Sequence, residues 1–520
     1  MPKNIETMFN DMVNSRSVVY NKAVEASRLT IPSLFLQEGH TELSPLPQPW
    51  QSLGARGVSN LASKLGSSLL PPGRPFMEFA LNLPFAQGAD PNAIIAATAV
   101  LNLLGRMVQS RIEATNYRTV IDTALQHAIV GGNANIYVNP DMEFSVYNLA
   151  DYVIRRTPSG KLMLIICRDW YAWLDLEPEW QSKLRREKPT DELEQYTDKN
   201  KLIPVYTSIR RTTEKWEITR EACGITLDDS QSFGFKSKLL SYIPFRWKAI
   251  NNEDYGRGYC EELAGDLNAF NGLSRSIRRG AAATSRIIPL ISPAGVTDID
   301  DLNDAREDDG KWIPGDPKDL GFVGAGRSID LTWAVAHHGQ LRDSLNRAFL
   351  LGMDDLSGRD RVTAAEIMAR QREIMETFSG TTSILGAELQ RPLAEVIIDK
   401  MKLNGELPKE LEYGSGKPIQ IKIKAGIDTL GNSQELLRIS QLIELEGVMR
   451  QSNPSEPSRL NVGTILSLAS NYLGLDARQV IVSEEQLRAT MQQAQQAALS
   501  QQAGEKAIEV AGDNFKNTRK

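Results

Sequence analysis

Two short stretches come nearest to catalytic or metal chemistry. Gly414-Ser-Gly-Lys417 has the look of a phosphate loop. No earlier glycine stands at the required distance, however, and Pro418 follows the lysine where a Ser or Thr would hold magnesium. It reads as a turn before the strand-like Ile419-Gln-Ile-Lys-Ile-Lys424. His337 and His338 are adjacent, and consecutive residues on a helix point about 100° apart, so they do not chelate one ion together. With only His40 and His127 besides, no HExxH or other three-ligand spacing exists. Gly321-Phe-Val-Gly324-Ala-Gly326 has the wrong glycine spacing for a dinucleotide fold, and no GxSxG elbow occurs. The expectation is no catalytic residue, no metal, no cofactor and no enzyme.

Charge is the remaining chemistry. Between Leu267 and Thr297 stand Arg275, Arg278, Arg279 and Arg286, with no acid among them. Asp298 to Asp309 then carries seven acids (Asp298, Asp300, Asp301, Asp304, Glu307, Asp308 and Asp309) against one arginine, Arg306, with Trp312 just beyond. A third cluster is the turn-rich Met353 to Arg361, where Arg359 and Arg361 sit beside Asp354, Asp355 and Asp360. The whole chain has 65 acidic and 59 basic residues, a formal net charge of -6. That excludes a bulk polycation gripping nucleic acid by charge alone.

The elements that would carry these clusters can be placed from the pattern. At 520 residues, 41% hydrophobic and 24% charged, the chain is that of a folded protein of three or four units. Cys167, Cys223 and Cys260 are too scattered for a disulfide framework or a CxxC site and read as thiols of a reducing cytoplasm. No apolar targeting stretch opens the chain, and the run Ala93–Leu104 is too short to span a bilayer. A soluble, intracellular product is expected.

Residues 1–30 read as a helix and 31–75 as a loop-rich stretch. Residues 92–130 read as helical, with Gly131-Gly132 as a stop. Strands follow at Asn135–Val138 and Leu162–Cys167, then a hairpin turns at Thr212–Lys215 between Val205–Ile209 and Trp216–Ile218. Residues 256–286 read as one long helix whose five glycines each weaken it by about 1 kcal/mol relative to alanine. Such a helix is held by close packing on other copies or a partner. Ile287–Ile291 is strand-like, and a second helix runs from Trp333 to Leu351. Thr363, with Glu366 three residues on, caps a long helix to Leu403 that kinks at Gly380, Gly386 and Pro392. Farther on, Leu436, Ile439, Leu442, Ile443, Leu445 and Val448 form an apolar helical face, and a Gln/Ala-rich tail follows.

This order of elements, helix, insert, returning helix, polar loop and kinked helix after an α+β domain, resembles the portal (head-to-tail connector) proteins of short-tailed phages of the autographivirus type. The local blocks that carry the resemblance are Pro71–Phe76, Asp151-Tyr-Val-Ile-Arg-Arg156 and Glu253-Asp-Tyr-Gly-Arg-Gly-Tyr259. Glu261-Glu262, Gly265-Asp266-Leu267, Ser292–Thr297, Arg361-Val-Thr-Ala-Ala-Glu-Ile367 and Ser383–Gln390 followed by Pro392-Leu393 continue it.

The resemblance implies an α+β, mainly helical, ring-forming portal fold. Residues 1–254 would be the wing, 255–286 and 334–352 the two stem helices, and 287–333 the clip. Residues 353–362 would be the tunnel loop, 363–425 the returning wing helix and strand, and 426–520 the crown and tail. It further implies a dodecameric ring at one capsid vertex of the virion, assembled in the host cytoplasm and conducting double-stranded DNA in packaging and ejection. Arg275, Arg278, Arg279, Arg359 and Arg361 become DNA-channel candidates. Asp298, Asp300, Asp301, Asp308, Asp309 and Trp312 become the docking surface for terminase, later replaced by a tail adaptor. Major capsid, scaffolding and internal core proteins are the other implied partners, with no membrane. The rival readings are another structural ring of the virion, such as a tail adaptor, and a packaging ATPase, which would need a Walker loop or clustered carboxylates.

Overall fold

The computed structural model describes residues 4–37, 44–72, 75–81, 91–187, 202–212, 215–227, 240–284, 288–291, 320–323, 328–351, 378–407, 419–423, 439–447, 463 and 465–466. The chain divides into two units, Met1–Ala425 and Gly426–Lys520.

The described helices of the first unit are α1 (Ile5–Ser15), α2 (Ser17–Leu29), α3 (Leu53–Leu69), α4 (Pro91–Glu113), α5 (Tyr117–Gly131), α6 (Pro178–Glu187), α7 (Tyr259–Glu262), α8 (Ala264–Thr284), α9 (Ser328–Ala348), α10 (Ser379–Leu385) and α11 (Arg391–Leu403). Its strands are β1 (Met77–Leu81), β2 (Asn133–Val138), β3 (Phe144–Tyr147), β4 (Tyr152–Arg156), β5 (Leu162–Tyr171), β6 (Ile203–Arg211), β7 (Trp216–Ala222), β8 (Ile225–Thr226), β9 (Tyr242–Arg246), β10 (Ile288–Ile291), β11 (Leu320–Val323) and β12 (Ile419–Ile423). All described pairings are antiparallel: β4-β5-β6-β7-β8, β3-β2-β9, β1-β12 and β10-β11.

The unbroken apolar run in β5 follows from burial on both faces. Ile165 and Cys167 face the main core with Tyr152, Ile154 and Ile209. Leu164 and Ile166 alternate to the other face, where Phe9 and Met12 of α1 cover them with Val153 and Tyr206. A strand covered on one face alone would have shown a polar alternation. The main core then joins this sheet to the three-stranded one and to α2, α3 and α5.

Several boundaries differ from the sequence reading. The first 30 residues form two helices, not one, because the chain steps at Arg16, whose buried guanidinium donates to the Leu149 and Ala150 carbonyls. The helical stretch at 92–130 is likewise interrupted between Glu113 and Tyr117. The largest difference is α3, inside the stretch expected to be loop-rich. Its glycines and serines suggest a loop, yet Leu53, Val58, Leu61, Leu65 and Leu69 are buried along one side. At Gly57 a Cβ would come within 2.5 Å of the Phe349 ring, so the missing side chain is what lets Phe349 seat on the helix.

The block Glu253–Tyr259 also acquires a physical reason. Gly132 ends α5 in the left-handed region at φ 77°, and a Cβ there would lie 2.5–2.6 Å from the backbone of Gly256, Arg257 and Gly258. Asn133 locks the same junction, accepting from the Gly256 N–H (2.7 Å) and donating to its carbonyl (3.0 Å). The long helix expected over 256–286 therefore starts only at Tyr259, after this crossing, and steps at Leu263 before α8.

The expected kink near Gly386 and Pro392 is a π-turn, Gly386–Gln390, between α10 and α11. The Arg391 N–H bonds back five residues to the Gly386 carbonyl. Widening the ladder there makes room for Pro392, which has no N–H and would crowd the carbonyl four residues before it. The turn also aims two polar side chains. Fully buried Gln390 donates to the Leu69 carbonyl at the end of α3 (2.6 Å), and Glu388 reaches Arg246.

In the second unit, residues 439–447 are helical. Leu442, Ile443 and Leu445 of the expected apolar face are exposed there.

Candidate functional site

The charged residues of interest ride on a pair of 21-residue helices, α8 and α9, each about 30 Å long. They run antiparallel. Tyr259 Oη donates to the Ala348 carbonyl (3.1 Å), Phe270 and Ser274 meet His338, and β10 pairs with β11 between the helices in sequence. Leu267, Phe270 and Ser274 recur at helical spacing on the buried side of α8. An aromatic cluster anchors the base of the pair. Tyr259 lies 5.8 Å from Trp247, 6.0 Å from Phe349 and 5.4 Å from Phe378, ring centre to ring centre.

Midway along, His338 stacks on Phe270 with centroids 4.3 Å apart. The Ser274 hydroxyl gives its proton to the Phe270 carbonyl (2.8 Å). The 2.9 Å contact between Ser274 Oγ and His338 Nε2 then requires that Nε2 donate. Burial, and secondarily the charge of Arg342, lower the His338 pKa. A neutral, Nε2-protonated ring is thus a packing element of the helix pair. His337 stacks instead on Trp333 at 5.4 Å, so the adjacent histidines diverge. Among the described residues no group of His, Cys, Asp and Glu could hold a metal ion. Cys167 and Cys260 are buried, and burial pushes both thiols up and away from nucleophilic thiolates.

Arg275, Arg278 and Arg279 are all exposed on α8. Arg275 and Arg279, one turn apart, lie over the Trp50 ring at 6.0 and 5.8 Å. The Trp50 backbone N–H donates to Asn271 Oδ1 (2.7 Å) one turn earlier on the same side. Arg278, on the same helix surface, lines a groove with Trp50, Arg56 of α3 and Arg342 of α9.

The model of the family "Bacteriophage head to tail connecting protein" matches residues 2–481. The chain belongs to this family. It is 30% identical over 499 residues to the portal protein of Enterobacteria phage T3, covering 93% of this chain and 89% of that protein. It is 29% identical over 501 residues to the portal protein of Escherichia phage T7 (94% and 90%) and 28% over 512 residues to that of Pseudomonas phage phiKMV (95% and 95%). A solved structure, the neck of an empty GTA particle, aligns over 81% of this chain and 90% of its own at 11% identity and TM-score 0.35.

The family resemblance read from the motifs is therefore correct, and a head-to-tail connector is a structural component of the phage, not an enzyme. Of the connector's five DNA-channel candidates, Arg275, Arg278 and Arg279 share one helix surface, while Arg359 and Arg361 lie outside the described residues. So do Arg286 and the docking candidates Asp298, Asp300, Asp301, Asp308, Asp309 and Trp312. Sequence reasoning does not find Arg56 and Arg342, which join Arg278. Arg342 stands one turn after His338, a spacing that could have pointed to it, whereas Arg56 lies in a segment that reads as loop. No described helix is long and apolar enough to cross a membrane.

Proposed function

We propose that this connector assembles into a dodecameric ring at one capsid vertex and conducts duplex DNA through its centre during packaging and ejection. The observation that carries this reading is the excursion α8–β10–β11–α9. An antiparallel ladder, Ile288–Ile291 with Leu320–Val323, closes the chain between two antiparallel helices. The result is a stalk with residues 292–319 as an insert. Residues 255–286 and 334–352, which contain α8 and most of α9, serve as the stem, residues 287–333 as the clip and residues 353–362 as the tunnel loop. The wing is 1–254 with 363–425, and 426–520 forms the crown.

In this assembly Arg275, Arg278 and Arg279 form rings of positive charge that screen passing phosphates. The net charge of -6 per copy keeps the whole ring from retaining DNA. Asp298, Asp300, Asp301, Asp308 and Asp309 with Trp312 give the clip an acidic surface with an apolar anchor. Terminase docks there first and a tail adaptor later. Major capsid, scaffolding and internal core proteins are the ring's other partners.

Native mass measurement combined with negative-stain imaging of the purified protein tests this. Twelve copies around an axial bore wide enough for a B-form duplex is the expected result. A monomer, or a closed ring without a bore, overturns it.

A further inference from the structure

A groove of about 630 Å³ opens where the first turn of α3 meets the middle of α8 and α9. Arg56, Arg278 and Arg342 line it, one from each helix, and among the described residues no Asp or Glu does. In a chain of net charge -6 this is a strong local reversal. Arg342 pairs with Asp343 at 3.3 Å, with both side chains more than half exposed. Such a pair is worth little and yields readily to a competing anion. Trp50 also lines the groove, and it holds Arg275 and Arg279 against its ring. Ser52 and Leu53 bring the amino end of the 17-residue α3 to the same wall, adding the positive end of its dipole.

We infer that this groove binds the phosphodiester backbone of DNA, with Arg56, Arg278 and Arg342 donating to phosphate oxygens. The inference rests on the conduit reading above and gives it a discrete contact site. Guanidinium forks suit phosphate and carboxylate alike. Three of them, with only the exposed Asp343 beside Arg342 among the described residues, carry more charge than an isolated carboxylate can neutralise. A nucleic-acid strand supplies one negative charge per about 3.4 Å of helix axis, enough to serve all three in succession. Because the arginines are exposed, the contact is screened by salt and releases quickly, as a sliding substrate requires.

The test uses the assembled full-length protein and a fluorescein-labelled 30-base-pair duplex, with anisotropy read across a salt series. The triple variant R56Q/R278Q/R342Q is expected to bind at least about tenfold more weakly at low salt. Its dependence of log K on log salt should be shallower by roughly 0.9 for each phosphate that is no longer neutralised. R278K alone, keeping the charge, should retain most of the slope. An unchanged affinity and slope in the triple variant overturns the inference. So does a poly-glutamate peptide that displaces the duplex at equal charge concentration, since the groove would then be a carboxylate dock. Failure of the triple variant to reach the wild-type mass also overturns it, because the arginines would then join copies. If the wild type lacks a bore yet shows the arginine-dependent slope, the conduit reading fails while the groove stands.

Discussion

Arg246 of β9 holds Glu388 of the π-turn through backbone and side chain: its backbone N–H donates to Oε2 at 3.0 Å, its Nε to Oε1 at 3.1 Å, and its Nη2 to Oε1 as well. Arg156 of β4 adds a second guanidinium 3.6 Å from Oε1. Both arginine side chains are buried, and Glu388 is nearly so. One carboxylate is therefore shared by two buried guanidiniums, and Asp254, which accepts from the Arg156 backbone N–H, adds a second negative charge beside Arg156. Removing Glu388 exposes the asymmetry of buried ion pairs, in which breaking the pair costs far more than the intact pair contributes. Glu388→Gln should destabilise the first unit by about 3 kcal/mol or more, seen as a lower midpoint in urea. A midpoint within error of wild type would mean that the arginines find water instead.

The crossing of Gly132 with Gly256–Gly258 makes a second, steric prediction. Alanine at 132 meets two penalties at once. A non-glycine residue is strained at φ 77°, and its Cβ would press to 2.5 Å on the Arg257 carbonyl carbon. Backbone cannot swing aside as a side-chain tip does. Gly132→Ala should cost at least about 2–3 kcal/mol, whereas Gly405→Ala, at φ 75° with open space around it, should cost about 1. Thermal melts of the two variants should separate by several degrees in that order.

Acid sensitivity should centre on His127. The ring is buried against the edge of Phe35, its Nδ1 has no hydrogen bond among the described residues, and burial lowers its pKa to about 4 from 6.5. The unfolded chain then binds a proton that the folded chain refuses, between pH 6.5 and 4. Stability is fully present above 6.5 and is lost as pH falls through that window, by up to about 3 kcal/mol. Asp169, Glu395 and Asp399 have carboxyls raised by burial and slope the other way at the acid end. The difference between wild type and His127→Phe isolates the histidine. The variant's urea midpoint should fall less between pH 7 and 5, and parallel curves for the two proteins would rule the histidine out.

How much of this could be read from the chain follows from the range of the interactions. β2, β5 and the β6–β7 hairpin were visible because apolar alternation or continuity is written locally. The strand-like Ile419–Lys424 was visible for the same reason, but its partner β1, more than 300 residues earlier, was not. The kink near Gly386 and Pro392 was expected, yet its form as a π-turn depends on what Glu388 and Gln390 must reach. In α3 the glycines look like helix breakers until Phe349 is placed beside Gly57. The arginine groove was the least visible, since Arg56, Arg278 and Arg342 share no spacing and converge only once α3, α8 and α9 are packed.

The glycines of α8 provide the sharpest test of assembly. Gly265 and Gly272 lie one heptad apart on the side away from Leu267, Phe270 and Ser274, and a Cβ at either would meet nothing within 4 Å among the described residues. Within one copy these glycines only weaken the helix, by about 1 kcal/mol each. Leucine at 272 should therefore leave the isolated fold intact and modestly raise its melting temperature. If a neighbouring copy closes on this side in the proposed ring, a leucine there prevents the approach and costs about 1–3 kcal/mol at every interface around the ring. The expected outcome is a well-folded Gly272→Leu protein by circular dichroism that native mass measurement finds as monomers or small oligomers, with Gly272→Ala intermediate. Full-sized rings from the leucine variant would show that this side of α8 faces solvent, and the glycines would then need another reason.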